Sequence, residues 1–306
     1  MTWPQIAFFA FLTVAIMVGW ARYSLEKGLW RRLAELYLWL VPVSLTWLEA
    51  IHDVRGLTVT VAIGVLHLLL IVVALWSLGG ARTVDASGRS ARLASFLLIV
   101  GSAIVWLGAA TFPGMELEGI HAHRADHLFT TGLFLLGAVI TLAGFTVLTA
   151  LLRESGHPLL AELGLVAFLF GCTFLVIHLA FRGVVMVVAA EELLAAGIAP
   201  SWYGSWRPWA GLMYGVYMTT AYLATAAYAG AMLATGWVGK GWGRTFATVG
   251  VLAAVGFVAH GGFDRPRPQR GALLVQFVPY AMGIVLLRRA THQELFARGT
   301  AASGNG

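Results

Sequence analysis

Three histidines and an aspartate fall within seven residues in the stretch Gly119-Ile120-His121-Ala122-His123-Arg124-Ala125-Asp126-His127. Imidazole is a ligand for Zn, Cu and Fe, and it is the side chain that gains and loses protons near neutral pH. On a continuous helix His123 and His127 would share a face at a spacing of four, with Asp126 three residues from His123. A second constellation is Glu49-Ala50-Ile51-His52-Asp53, where spacings of three and four place Glu49, His52 and Asp53 together. His178 and Arg182 stand one turn apart inside an apolar run, and His260 repeats that spacing with Asp264. His67 lies alone, about ten residues into another apolar run.

Two kinds of chemistry fit these residues. A transition-metal site (Cu, Zn or Fe) would draw on Glu49, His52, Asp53, His121, His123, Asp126, His127 and His260, carboxylates completing the shell or orienting a ring. A b-type haem would need two histidines on facing helices, for which His67 and His178 are the pair, with Arg182 beside them. The second chemistry is proton or cation handling, because ionisable groups embedded in a membrane line pathways. The same residue types also serve as solvated loops, helix caps and interface anchors. HExxH, CxxC, CxxCH, Walker A, dinucleotide-binding and GxSxG patterns are all absent, and Lys27 and Lys240, the two lysines, fall in loops.

The elements that must carry these groups are membrane helices. Of 306 residues, 59% are hydrophobic and 11% charged, and mean hydropathy is +0.81. A soluble domain has roughly 45–50% apolar and about 25% charged residues. The sequence predicts an all-α polytopic transmembrane helix bundle of eight or nine spans, with candidates at 5–21, 33–51, 57–78, 92–112, 128–152, 159–181, 208–235, 245–261 and 271–287. Residues 1–306 read as a single integral membrane domain without a separate soluble one and without internal repeats. The run from Leu159 to Ala196 is too long for one crossing, so it is expected to leave the membrane near Arg182 and continue as a surface helix carrying Glu191 and Glu192. Arg182 itself is expected to snorkel outward or pair with Glu49 or Asp53. The aromatic stretch from Pro200 to Trp209 is expected to be an interfacial loop.

Basic residues orient the chain. Arg22, Lys27, Arg31, Arg32, Arg82, Arg89, Arg92, Arg153, Lys240, Arg244, Arg288, Arg289 and Arg298 are 13 of the 20 Lys and Arg, and all fall on one side of the nine-span arrangement. The positive-inside rule makes that side cytoplasmic in a bacterial-type inner membrane, with the N-terminus outside and the C-terminus inside. Arg265, Arg267 and Arg270 oppose the pattern, which makes the last two spans its weakest part. The net charge of +6 then reflects loop asymmetry and not nucleic-acid binding. Cys172 is the single cysteine, so no disulfide framework exists. The expected partners are membrane lipid and other membrane subunits or a second copy. Three functions follow: outward-facing metal or haem chemistry, proton-coupled transport of a small solute or lipid, or a structural role in a larger membrane complex.

Overall fold

The computed structural model describes residues 32–45, 57–79, 86–112, 116–259 and 275–291. Among them no strand occurs. Residues 32–45 form α1, followed by α2 (Leu57–Gly79), α3 (Ala86–Ala110), α4 (Leu117–Ala122) and α5 (Arg124–Glu154). Next come α6 (Pro158–Ala180), a π-helical turn (Phe181–Val185), α7 (Met186–Ala196), α8 (Ser201–Ala234), α9 (Lys240–Ala259) and α10, residues 275–291. The candidate span at 5–21 lies outside the described residues.

Five described helices are long and apolar enough to cross a membrane: Leu57–Leu78, Ala86–Ala110, Arg124–Glu154, Pro158–Ala196 and Lys240–Ala259. Their burial pattern is that of a membrane protein. Ser95, Ser102, Thr130, Thr141 and Gln276 are fully buried, whereas Trp76, Val166 and Leu252 are more than 60% exposed. Apolar side chains face outward because hydrocarbon solvates them as well as the interior does, while polar ones must find partners inside.

Glycines set how the helices meet. A Cβ on Gly137 of α5 would stand 2.8 Å from the Gly101 carbonyl of α3, and one on Gly101 would stand 2.7 Å from the Thr141 amide. The two backbones therefore touch. Gly108 and Gly144 extend this seam, each seven residues from its partner and so on the same face. In the α6–α8 seam Gly164 meets Tyr228 and Ala224, and Gly171 meets Thr220. Gly243 and Gly250 of α9, again seven apart, pack on Leu233 and on Tyr222 and Ala226 of α8. Such close approach is how helices associate in lipid, where dispersion replaces the hydrophobic effect.

The expectation for residues 200–209 needs correction. They begin the 34-residue α8, directly after Pro200, and Pro208 sits inside the helix. Pro208 cannot donate to the Gly204 carbonyl four residues before it, so the helix lacks one hydrogen bond there. The extension beyond Arg182 is helical as expected, through Ala196, where Gly197 adopts φ 72° and ends it. Leu117 and Ile120 of α4 pack with Met186, Val187 and Ala190 of α7 and Tyr203 of α8, forming a cap across one end of the bundle.

Candidate functional site

The three seams bring particular residues to that capped end. In the α3–α5 register Thr111 meets Thr130: their hydroxyls are 3.1 Å apart, and Thr130 Oγ1 donates to the Thr111 carbonyl at 2.9 Å. This fixes Phe112, just beyond α3, beside the start of α5. The antiparallel α6–α8 register carries His178 to Ala210 and Tyr214. His178 Nδ1 donates to the Ala210 carbonyl at 2.9 Å, and its ring lies 5.0 Å from that of Tyr214.

The π-helical turn then sets Arg182. A π-turn widens the helix and loosens carbonyls that an α-helix holds in its ladder. His127 Nε2 donates to the Arg182 carbonyl at 2.8 Å, tying α5 to this turn. Both histidines lie within electrostatic reach of the Arg182 guanidinium. Since each ring donates from one nitrogen to a carbonyl, each neutral ring keeps a lone pair on the other, Nδ1 of His127 and Nε2 of His178. His127 Nδ1 is buried and has no hydrogen-bond partner among the described residues.

Arg182 is 3% exposed. Its Cζ lies 4.4 Å from the centre of the Phe112 ring and 5.4 Å from that of Phe134. No carboxylate pairs with it among the described residues, and Glu49 and Asp53, the acids expected beside it, lie outside them. The aromatic faces supply part of the stabilisation that a carboxylate would have given. They cannot hydrogen-bond its edge, and Nε and Nη2 are buried without a partner among the described residues. These two atoms carry N–H groups on one edge of the planar guanidinium. That edge is the fork that receives both oxygens of a carboxylate.

The remaining sequence candidates are placed differently. His123 joins α4 to α5 at φ −122°, ψ 41°, so His123 and His127 do not share one continuous helix face. His121 and His123 are exposed, and His123 Nδ1 is 3.7 Å from Asp126 Oδ2. His67 is buried between α1 and α2, with Nδ1 2.9 Å from the Tyr37 hydroxyl, while His178 faces α8. Among the described residues no three His, Cys, Asp or Glu side chains converge as a metal-ligand set. Glu49, His52, Asp53 and His260 lie outside the described residues. Around the cap, Arg124 pairs with Glu191 and Trp202 Nε1 donates to Glu192 Oε2 at 3.2 Å.

Sequence reasoning missed Phe112, Phe134, Ala210 and Tyr214. The glycine pairs spaced by seven would have indicated the registers that bring them in. No family model matches this chain, and no curated protein or solved structure matches it.

Proposed function

We propose that the chain is a polytopic inner-membrane protein of eight or nine spans that binds a small carboxylate at Arg182 and moves it together with a proton. The N-terminus is outside, the C-terminus is cytoplasmic, and the capped end faces outward. The observation that carries this reading is the Nε and Nη2 edge, without a partner among the described residues, of a guanidinium that is 3% exposed. An Arg without a counter-charge in hydrocarbon is costly, about 2.5–3.5 kcal/mol on insertion scales at a helix centre. A bound carboxylate would cancel that cost with two charge-assisted hydrogen bonds. Phe112 and Phe134 offer apolar surface for the organic part of such a ligand, and the lone pair of His127 Nδ1 offers a place for its proton. The fork is closed from solvent, so entry requires the cap of α4 and α7 to lift. The same positive charge disfavours a metal cation between His127 and His178.

The test is binding and uptake of radiolabelled benzoate by the protein in nanodiscs and proteoliposomes, with and without an imposed pH gradient. Saturable binding, uptake driven by the gradient, and loss of both in Arg182→Lys are expected, since Lys keeps the charge and lacks the fork. Equal binding by Arg182→Lys and the wild type, or no saturable binding of benzoate, acetate or lactate, would sink the reading.

A metal site remains the second reading, favoured by the approach of His123 to Asp126 at the exposed rim. It would recruit His121 with Glu49, His52, Asp53 or His260. Elemental analysis and an optical spectrum of the purified protein decide it: a stoichiometric metal or a Soret band supports it, and neither being found removes it.

A further inference from the structure

At the opposite end of the bundle the turn from α8 to α9 and the last turn of α10 enclose a pocket of about 390 Å³. Three of its lining side chains are cationic, Lys240, Arg244 and Arg289, and no carboxylate lines it. All three are exposed, and none forms an ion pair or side-chain hydrogen bond among the described residues. Two of the acids at this end of the bundle are occupied, Glu162 by Arg153 at 2.8 Å and Glu35 by Arg288 at 3.3 Å. Leu233 and Val238 give the pocket an apolar part. The pocket also opens on the first turn of the 20-residue α9, whose leading N–H groups have no acceptor within their own helix.

We infer that this pocket binds the phosphate of an anionic glycerophospholipid. Free phosphate shares the headgroup chemistry, but two further features select the lipid. Trp242 lies between Lys240 and Arg244 in sequence and stacks on Trp39 at 5.5 Å, so the pocket sits at the height of an interfacial aromatic pair. Running away from it along α9, Val249, Leu252 and Val255 are exposed, an apolar track on which acyl chains can lie. Basic pockets between helices at the membrane interface hold lipid phosphates in this way.

The test uses the full chain in nanodiscs of phosphatidylcholine, alone or with one-fifth phosphatidylglycerol, released into native mass spectrometry and followed in parallel by thermal unfolding. The wild type is expected to retain phosphatidylglycerol selectively and to unfold at a higher temperature with it. Each cation removed should lower that retention about five-fold, so the triple variant Lys240→Gln, Arg244→Gln, Arg289→Gln should retain both lipids alike. Arg207→Gln, an exposed Arg at the capped end, should keep the selectivity. Should the triple variant fold poorly, Lys240→Gln alone supplies the five-fold step. Equal retention of both lipids by the wild type, or undiminished selectivity in the variants, overturns the proposal. A thermal shift in phosphatidylcholine discs with inorganic phosphate as large as that with phosphatidylglycerol overturns the lipid assignment in favour of a free-phosphate site.

Discussion

Arg182 is buried against two phenyl rings at one end of the bundle, whereas Lys240, Arg244 and Arg289 are exposed around an open pocket at the other. The first site concentrates its strength in geometry: one guanidinium, one edge without a partner among the described residues, and two imidazoles fixed by carbonyls. The second spreads it over three flexible cations that keep their hydration. A charge in the interior interacts strongly and is screened little, whereas exposed charges are screened over about 8–10 Å at ordinary ionic strength. The interior arrangement can therefore discriminate among ligands by shape. The exposed one discriminates mainly by charge.

The sharpest way to break this contrast is Arg182→Met, which keeps the side chain's length and removes its charge. Carboxylate binding should fall by about 2–5 kcal/mol, while thermal stability without ligand should rise, because a buried charge that has no carboxylate partner among the described residues is gone. Isothermal titration and thermal unfolding read the two effects; a loss of stability would mean that the aromatic rings already satisfy the guanidinium. Next in size is His127→Ala. It strips the Arg182 carbonyl of its donor and should cost about 1–3 kcal/mol of stability, with weaker binding because the π-turn is no longer tied to α5. Unchanged chemical unfolding would show that the His127 bond contributes little.

Raising NaCl from low to high concentration should then separate the two ends. Phosphatidylglycerol retention should drop several-fold, while benzoate binding at Arg182 changes by less than about two-fold. Parallel losses would place both sites in solvent-screened surroundings. The smallest effect is expected from Phe112→Leu. It should weaken the hold on the guanidinium by about 0.5–2 kcal/mol, seen as a modest loss of stability while benzoate binding is largely retained.

The helical class, the positions of most described helices and the long run through Arg182 were legible because hydropathy reports directly on length and on lipid exposure. His178 and Arg182 were legible as a pair because their spacing is local. What brings His127 to Arg182 was not legible, since it depends on the registers of α3 with α5 and α6 with α8, and those registers rest on glycines whose role shows only when backbones touch. The aromatic stretch at 200–209 misled because Trp, Tyr and Pro read as interface and turn, whereas the helix starts at Ser201 and carries Pro208 inside it. The acids expected beside Arg182, Glu49 and Asp53, lie outside the described residues, and the Phe112 and Phe134 rings were not legible because their help rests on the negative face of a phenyl ring.

Pro208 gives α8 one further property, a mechanical one. The helix is about 51 Å long at 1.5 Å per residue, well beyond the ~30 Å hydrocarbon core, and it lacks a rung of its ladder where Pro208 faces Gly204. Before that rung Tyr203 and Trp202 pack with the cap; after it Ala210 packs with the same cluster and receives His178, and from Tyr217 on the helix packs in the bundle core. The missing rung is thus where α8 would bend if the proposed lifting of the cap occurs. The short arm can swing with α4 and α7 while the long arm keeps the α6–α8 seam closed, so the lifting of the cap and the rigidity of the Arg182 fork need not oppose each other. Amide exchange through residues 201–207 should accordingly run ahead of that through 211–230.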